Sequence, residues 1–423
     1  MNKNFRTIQP SIFPLQALQI PNIELYEFQN GIKLKVLNDN QMELMRFDIK
    51  FKAGVRYQSK MFIASFTAKM MFEGTAKYSS TEIAEMFDSK GAYYGISPEL
   101  DNVNVSFYIP KIYFSELLPL IYDVLFESVF PDDELEKLKR KEEMSLRVNF
   151  TKTAVLARYH VRNVLFGDQH PYGLFPVLEN IQNLNRDDLF MFHRQFYAQS
   201  VFSLYLTGNV DLDIRLAVEN VFGFIKVAEK DENQLNCSPK LKPNVDIALP
   251  DAVQRSIRLA RLSILRSHPD FVDLGVLSTI LGGYFGSRLM TNIREEKGYT
   301  YGIGSSVVSL QNASYLAIYS DVGKDVWELA LKEIEFEMLR LCDERVGQKE
   351  LERVKQYLAG SMMRSVDGAV NLIDKLIDLD DYGLSISYLQ SQMDAIHAVD
   401  SSRLQELAQI YLNPTEYSKV LVG

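Results

Sequence analysis

The sequence predicts an α+β protein of two homologous domains, each a mostly antiparallel sheet covered by helices on one face. Three observations support this prediction. The 423 residues exceed one ordinary core, a segment recurs at about half the chain length, and the same order of strands and helices occurs twice. We expect the domains over residues 1–225 and 251–423. Residues 226–250 are polar and contain Pro239 and Pro243, a composition typical of a linker.

The repeat is visible in the residues themselves. The segment KGAYYGI at 90–96 corresponds to KGYTYGI at 297–303, an offset of 207 residues (297 − 90). A second match pairs DELE at 133–136 with KELE at 349–352, an offset of 216 residues (349 − 133). Because the period is about half the chain, the repeat indicates two copies of one domain and not a solenoid.

In the first half, alternating apolar residues predict strands, and apolar residues at helical spacing predict helices. Asn30-Gly31 marks the turn of a hairpin, and Ser79 followed by Glu82 marks the start of a helix. The predicted elements are the hairpin 23–37, strand 43–53, helices 63–72 and 81–89, strands 93–96 and 101–109, helices 113–129, 132–150, 153–166 and 186–197, and strand 202–207.

The second half follows the same order. After a strand come an apolar helix that ends at Gly282-Gly283, a short amphipathic helix, two strands and a group of long helices. The predicted elements are strand 255–265, helices 270–282 and 286–295, strands 299–308 and 313–320, helices 324–343, 347–365, 369–379 and 400–411, and strand 418–422.

Composition excludes several classes of protein. A net charge of −9 leaves no basic surplus for a nucleic acid partner. No apolar run is long enough for a membrane helix, and Pro10, Pro14 and Pro21 interrupt the N-terminal segment where a signal peptide has its apolar core. Cys237 and Cys342 are far apart, which favours a reducing compartment. We therefore expect a cytoplasmic protein without a membrane partner.

Two residues near the second copy of the repeat are candidates for ligand binding. Arg294 and Tyr301 flank a predicted helix-to-strand turn, so their side chains are expected to lie close together. A guanidinium and a phenol both donate hydrogen bonds, which suits a carbonyl or carboxylate ligand. The residues alone also allow a surface arginine paired with Glu295 or Glu296, beside an ordinary sheet tyrosine.

Four segments in this order resemble the pitrilysin/insulinase family of metallopeptidases, which includes mitochondrial processing peptidase and insulin-degrading enzyme. The segments are GVRYQSK with SFTAKMMFEGT (54–75), HPYG (170–173), FYAQSVFSLYLTGNVD (196–211) and REEKGYTYGIGSS (294–306). The resemblance covers nearly all of the chain. It implies two domains of the processing-peptidase and LuxS metalloenzyme type that form a clam-shaped chamber.

The chain departs from the family at the zinc motif. In active members a first-half helix carries His-x-x-Glu-His, whose histidines bind zinc and whose glutamate activates a water, and a later glutamate completes the site. The matching positions here are Ser65, Ala68 and Lys69, and the late glutamate corresponds to Glu142 or Glu143. A hydroxyl and an ammonium cannot replace two imidazoles. The resemblance therefore implies a degenerate zinc site.

One hypothesis assigns Lys69 to the vacated zinc position, where its ammonium pairs with Glu142 or Glu143. The alternative is that Lys69 simply extends into solvent. No two of the five histidines lie three to five residues apart, so the sequence predicts no second zinc site. We expect no cofactor in this chain and zinc only in a partner subunit. The histidines are His160, His170, His193, His268 and His397.

The other half of the family's active site is present. In catalytic members a second-domain arginine and tyrosine, seven residues apart, bind the substrate backbone and stabilise the tetrahedral intermediate. Arg294 and Tyr301 match this pair, and the equivalent of Arg294 in the first half is Phe87 (294 − 207). The resemblance also implies that some relatives divide the zinc motif and the Arg/Tyr pair between two chains.

The sequence thus predicts a non-catalytic, substrate-binding subunit of a heterodimeric zinc metallopeptidase, inactive alone. Its expected partners are a homologous zinc-carrying subunit and a peptide substrate. Two alternatives remain open at this point. One is a structural or peptide-binding protein without a peptidase role, and the other, less favoured by the histidine positions, is an autonomous peptidase with a relocated metal site.

Overall fold

A computed structural model describes residues 18, 20–227 and 238–423 of the chain. Most of the N-terminal segment, part of the predicted linker and Cys237 lie outside the described residues. The described chain forms two sheets, one in each half, with helices packed on them. In these ranges no helix is both long and apolar enough to cross a bilayer.

The strands are β1 (Glu24–Glu27), β2 (Lys33–Asn38), β3 (Leu44–Phe51), β4 (Tyr93–Pro98), β5 (Val103–Pro110), β6 (Phe202–Gly208), β7 (Val245–Ile247), β8 (Gln254–Leu262), β9 (Thr300–Leu310), β10 (Ala313–Gly323) and β11 (Ser418–Val422). The α-helices of the first half are α1 (Ile63–Met70), α2 (Ser80–Asp88), α3 (Lys111–Phe126), α4 (Asp132–Phe150), α5 (Thr153–Phe166), α6 (Leu178–Gln182), α7 (Arg186–His193) and α8 (Leu212–Phe222).

Those of the second half are α9 (Phe271–Ser278), α10 (Trp327–Asp343), α11 (Gln348–Ser365), α12 (Ala369–Asp380), α13 (Tyr388–Ala398) and α14 (Ser401–Tyr411). Short 3₁₀ turns are Val55–Tyr57, Pro171–Gly173 and Pro414–Glu416. Three segments are wound as π-helix: Arg194–Ala198, Thr279–Gly283 and Met290–Glu296.

The two sheets share one topology. The first has the order β1-β2-β6-β3-β5-β4 and the second the order β7-β11-β8-β10-β9. Without β1, the strands correspond one to one, and each sheet has a single parallel pair, β2 with β6 and β7 with β11. The predicted α+β fold with two mostly antiparallel sheets is therefore confirmed. The two repeat segments, 90–96 and 297–303, lead into β4 and β9, which are the equivalent edge strands of the two sheets.

The structure also contains elements that the sequence pattern did not predict. Strand β7 lies inside the segment expected to be linker, and helices α6, α8 and α13 were not anticipated. A three-residue edge strand is too short to show a period, and α6 has only five residues. The helices predicted at 270–282 and 286–295 exist, but each contains a π-helical part.

Each sheet packs its own helices on one face. In the first half, aromatic side chains dominate this core. Phe47 contacts Phe114 and Phe222 edge to face, and all three are fully buried. In the second half, aliphatic residues of β8 and β10, such as Leu259 and Leu316, pack against α9, α10 and α14. Burial of this apolar surface is the main stabilising contribution to each core.

The opposite face of each sheet is covered by a helix from the other half. Helix α5 of the first half lies on β8 and β11, where Leu156 and Val161 pack near Ala260 and Val420. Helix α12 of the second half lies on β2 and β6, with Leu376 in the cluster around Leu37 and Tyr205. The two halves therefore exchange helices reciprocally.

Ion pairs reinforce the contact of α12 with the first sheet. Arg46 is 4% exposed and lies 2.5 Å from Asp374, and Lys50 pairs with Asp381. Nζ of Lys50 also donates to the carbonyl of Ile377 at 2.9 Å. Each buried cation on the sheet thus has a partner on the crossing helix, as buried charges require.

Candidate functional site

Arg294 and Tyr301 are carried by a tight turn between a π-helix and strand β9. The backbone N–H of Tyr299 donates to the carbonyl of Ile293 at 3.0 Å, which closes the turn. Gly298 has φ +67°, a left-handed conformation that favours glycine. The turn therefore brings the last residues of the helix next to the first residues of the strand.

The turn places Arg294 and Tyr301 side by side, as their spacing predicted. Nε of Arg294 donates to the backbone carbonyl of Tyr301 at 3.0 Å. The guanidinium carbon lies 4.5 Å from the ring centre of Phe285, within the range of a cation–π contact. In the described ranges Arg294 forms no ion pair with Glu295 or Glu296, so the alternative of a simple surface pair does not hold.

These two contacts fix the arginine and leave its outer donors available. Only Nε is used in a hydrogen bond within the described part of the chain, so both Nη groups are available. The Tyr301 side chain is 91% exposed. A ligand at this point would meet an oriented guanidinium and an accessible phenol.

A polar network holds the π-helix on α10. The amide of Asn292 donates to Glu337 at 2.8 Å and to Glu333 at 3.1 Å. Nζ of Lys297 lies 2.5 Å from Glu333. Glu337 is only 3% exposed, and Asn292 is buried as well. These contacts connect the π-helix that carries Arg294 to α10.

The preceding π-helix approaches β9 closely. A Cβ at Gly282 would lie 2.6 Å from the backbone nitrogen of Ser305, so no larger residue fits there. The hydroxyls of Ser278 and Ser305 are 2.8 Å apart. The strand that carries Tyr301 is thus seated directly on the segment before it.

Beside the pair lies an open cavity of about 940 Å³. Its walls include Val253 and Gln254 at the start of β8 and Gly323 at the end of β10, together with Arg294 and Tyr301. Val253 is 86% exposed. The lining residues belong to the second half, and the edge strand β9 borders the cavity.

The degenerate zinc positions lie on α1 and α4 of the first half. Nζ of Lys69 is 2.6 Å from Oε1 of Glu142, so the predicted pairing of Lys69 is confirmed and Glu142 is its partner. The hydroxyl of Ser65 donates to the carbonyl of Phe62 at 3.1 Å. Ala68 is fully buried in the core, and Glu143 is half-buried.

This donor set does not fit zinc. A protonated amine cannot donate a lone pair, the Ser65 hydroxyl is engaged with the backbone, and Ala68 has no polar atom. Among the residues that the structure describes, no group of three or more His, Cys, Asp or Glu is arranged to hold a metal ion. His170 and His193 both serve the backbone, accepting from Tyr172 and contacting the Leu125 carbonyl respectively.

Several contributors to the site were not predicted from the sequence. These contributors are Phe285, Asn292 and Glu337. The available signal was the position of Asn292 on the apolar face of a short helix, where a polar residue needs a buried partner. In the first half, Phe87 is 1% exposed among other aromatic rings, so only the second copy presents a cation.

Comparison with known proteins agrees with this geometry. Residues 36–164 match the family described as "Insulinase (Peptidase family M16)", and residues 183–358 match the "Peptidase M16 inactive domain". The "Uncharacterized zinc protease YmxG" of Bacillus subtilis is 25% identical over 353 residues, which cover 82% of this chain and 85% of that protein.

The "Non-peptidase homolog YmxG" of Helicobacter pylori is 20% identical over 432 residues and covers 100% of this chain and 99% of its own length. The crystal structure of a peptidase M16 inactive domain from Pseudomonas fluorescens has the same fold. It superposes with a TM-score of 0.85 at 24% identity, over 95% of this chain and 98% of that one. The chain therefore belongs to the M16 (pitrilysin/insulinase) peptidase family, as a member that lacks the zinc motif.

Proposed function

We propose that this inactive family member is the substrate-binding subunit of a heterodimeric zinc metallopeptidase. The observation that carries the proposal is the orientation of Arg294. Its Nε donates to the Tyr301 carbonyl, and its Nη groups form no hydrogen bond with the described residues. The Lys69–Glu142 pair supports a division of labour, because the positions that match the zinc motif carry an ion pair and not a set of metal ligands.

In this role the chain supplies binding and electrostatic stabilisation to a reaction at the partner's zinc. The Nη groups of Arg294 and the hydroxyl of Tyr301 donate to backbone carbonyls of an extended peptide. They also stabilise the oxyanion that develops when a zinc-activated water attacks the scissile carbonyl. Because these donors act across an interface, neither subunit is active alone.

The test is reconstitution with a homologous subunit that carries His-x-x-Glu-His. Removing one oxyanion donor typically lowers kcat about 10²–10³-fold, so we expect a loss of this size in Arg294→Ala. Arg294→Lys should recover little, because lysine lacks the planar fork and the Nε donor. Arg364→Ala, an exposed arginine on α11, is the matched control and should keep full activity. Equal activity of wild type and Arg294→Ala would refute the proposal.

The alternative is a structural or peptide-binding role without proteolysis. The relative from Helicobacter pylori carries the name "Non-peptidase homolog", and this name supports the alternative. The two roles differ in the partners they require. Affinity capture of the chain from its own cells should recover a family member with the zinc motif under the first proposal, and partners without it under the alternative.

We also propose a cytoplasmic location, supported by the low cysteine content. A fluorescent-protein fusion together with cell fractionation tests this directly. Recovery in a secreted or membrane fraction would contradict it.

A further inference from the structure

One face of strands β9 and β10 is left open by the helix exchange. Helix α5 covers β8 and β11 on this side of the second sheet. On the neighbouring strands, Tyr319 is 44% exposed, and Ser306, Val308 and Ala317 are half-buried. These side chains alternate with core residues such as Ile318, so they point to the same face of the sheet.

This open face begins at the Arg294–Tyr301 pair. Strand register places Tyr319 opposite Gly304 and opposite Arg258, close to the end of β9 that carries Tyr301. The Tyr319 ring lies on Gly304, where a Cβ would come within 2.7 Å of the ring. Because glycine has no side chain, nothing projects from β9 at this position, and an extended chain can lie along the strands.

Arginine side chains border the face. Arg158 and Arg162 are one helical turn apart on α5, and both lie close enough to Tyr315 on β10 to interact with it electrostatically. Arg258 on β8 is paired in register with Tyr319. Arg258 has a carboxylate partner, since its Nη2 lies 3.1 Å from Asp321. Within the described ranges, neither Arg158 nor Arg162 has an ion-pair partner, and Nε of Arg162 is buried without any hydrogen bond.

The electrostatics of Arg162 are unusual for a structural arginine. Burial lowers the pKa of its guanidinium, and the nearby charge of Arg158 adds to this, while the Tyr315 and Tyr159 side chains act in the opposite direction. Burial also lowers the pKa of Arg258, with a smaller contribution from Arg158. Arginine nonetheless stays protonated, so the three cations repel each other. Asp321 compensates the charge of Arg258, whereas Arg158 and Arg162 have no carboxylate partner among the described residues.

We infer that this face binds the acidic part of a peptide, with a carboxylate at Arg158 and Arg162. Bidentate pairing of a carboxylate with guanidinium would satisfy the unpaired donors and relieve the repulsion. The location rests on the proposed function, because it continues the path of a peptide held at Arg294. Strand β10 runs six positions from Asp321 to Tyr315, about 20 Å at ~3.3 Å per residue, so the carboxylate lies roughly six residues from the held backbone.

Binding of labelled peptides to the full chain tests the inference by fluorescence anisotropy. The probes are a short Glu-containing peptide with an amidated C-terminus, its Gln counterpart, and the Gln peptide with a free C-terminal carboxylate. We expect the Glu peptide to bind about tenfold more tightly than the Gln peptide. Tighter binding of the free-carboxylate peptide alone would identify the chain terminus as the group bound, which also supports the site.

Charge variants assign the effect to this face. Arg158→Ala with Arg162→Ala should abolish the preference for the Glu peptide. Arg158→Glu, at an exposed position, should reverse the preference. Arg140→Ala with Arg364→Ala removes the same charge from exposed sites on α4 and α11 and should leave it unchanged. Equal binding of all three peptides, or an equal loss in the control, would overturn the inference.

The two proposals can fail separately. Arg294→Ala tests the peptidase role through the activity of the reconstituted pair, whereas Arg158→Glu tests acid recognition through the ratio of the two affinities. An oligothymidylate that competes as well as the Glu peptide would show a non-selective anion surface and would also reject acidic-peptide recognition.

Discussion

The Lys69–Glu142 pair joins two positions that the sequence resemblance matches to metal ligands of zinc-carrying family members. Its atoms are 2.6 Å apart, but Lys69 is about two-fifths exposed, so the pair contributes little to stability. Its main consequence is geometric. The carboxylate of Glu142 already points at the i+4 position of α1, so this helix face retains the spacing of a metal site without its imidazoles.

Replacing Ser65 and Lys69 with histidine should therefore create a zinc site. The double variant Ser65→His/Lys69→His has two imidazoles on one helix face and Glu142 as third ligand, a set that zinc prefers. We expect about one zinc per chain by metal analysis after dialysis. Adding Glu142→Gln should abolish binding, and adding Glu143→Gln should not. The reverse result would assign the ligand position to Glu143.

Zinc in that variant is not expected to bring proteolysis. Ala68 occupies the position of the catalytic glutamate and is fully buried, so the base is missing and the site around it is filled by core residues. Substitution of glutamate there would bury a carboxylate and destabilise the protein. Peptide hydrolysis by the double variant alone would contradict this reading.

His193 gives stability a dependence on pH. It is 3% exposed, and burial lowers its pKa to about 4. An unfolded histidine titrates near ~6.5, so as pH falls the unfolded state binds the proton first. This contribution to stability is complete above about pH 6.5 and is lost towards about pH 4, at up to ~1.4 kcal/mol per pH unit.

The variant His193→Gln should show a weaker pH dependence. Glutamine can still donate to the Leu125 carbonyl, which lies 2.7 Å from Nε2 of His193 in the wild type. We expect the fall in free energy of unfolding between neutral and mildly acidic pH to be smaller in this variant, as measured by urea titration. His268→Gln, at an exposed position, is the control. An unchanged slope in His193→Gln would show that other groups dominate.

At the scale of the elements, three glycines near β9 differ in how strongly the structure requires glycine. Gly282 lies against the backbone of Ser305, Gly298 has φ +67°, and Gly302 has neither a neighbour within 4 Å nor a left-handed φ. Substitution by alanine should therefore lower the free energy of unfolding by about 1–3 kcal/mol at Gly282 and by about 1 kcal/mol at Gly298. At Gly302 it should leave the free energy of unfolding almost unchanged. Urea unfolding of the three variants gives the order of their stabilities, because at an unchanged m-value the midpoint reports the free energy of unfolding. A Gly302→Ala variant as unstable as Gly282→Ala would refute it.

Local elements were predictable because their causes are local. The hairpin turn at Asn30-Gly31 and the start of α2 at Ser79 follow directly from turn and capping residues, and Ser79 and Glu82 form the reciprocal capping box. The Arg294–Tyr301 proximity was predictable for the same reason, since it depends on one short turn. Its fixed orientation was not, because Phe285 and the Asn292 network meet only in the folded protein.

Longer-range features could not be read from the pattern. The apolar face of α5 looks the same whichever sheet it covers, and its residues Leu156 and Val161 gave no indication that they pack on the second sheet. The sequence pattern likewise gives no indication of strand β7. The duplication predicts it in retrospect, because β7 pairs parallel to β11 as β2 pairs with β6.

For the whole molecule, the helix exchange predicts that the two halves depend on each other. Expressed alone, residues 1–225 would expose the apolar face that α12 covers, including Leu37. They would also lose Asp374 and Asp381, the second-half partners of Arg46 and Lys50. We expect this fragment to be aggregation-prone, whereas coexpression with residues 238–423 should restore a single complex.

Size-exclusion chromatography and calorimetry check this expectation. The coexpressed fragments should elute together at the size of the intact chain and unfold in one transition, since each half completes the core of the other. Arg46→Met should weaken the complex, because it removes the ion pair with Asp374 across the two halves and leaves the buried Asp48 without its cation. Arg364→Ala should not weaken it. A stable, monodisperse fragment 1–225 would contradict the mutual dependence.

The exchange of α5 and α12 would also limit how the proposed peptide substrate reaches Arg294. If the halves swung apart as rigid jaws, each would withdraw a packed helix from the other's sheet and expose Leu156, Leu376 and their neighbours to water. A hinge inside the chain is thereby excluded as an inexpensive motion. In the proposed heterodimer, admission and release of substrate would instead depend on how the two chains dock.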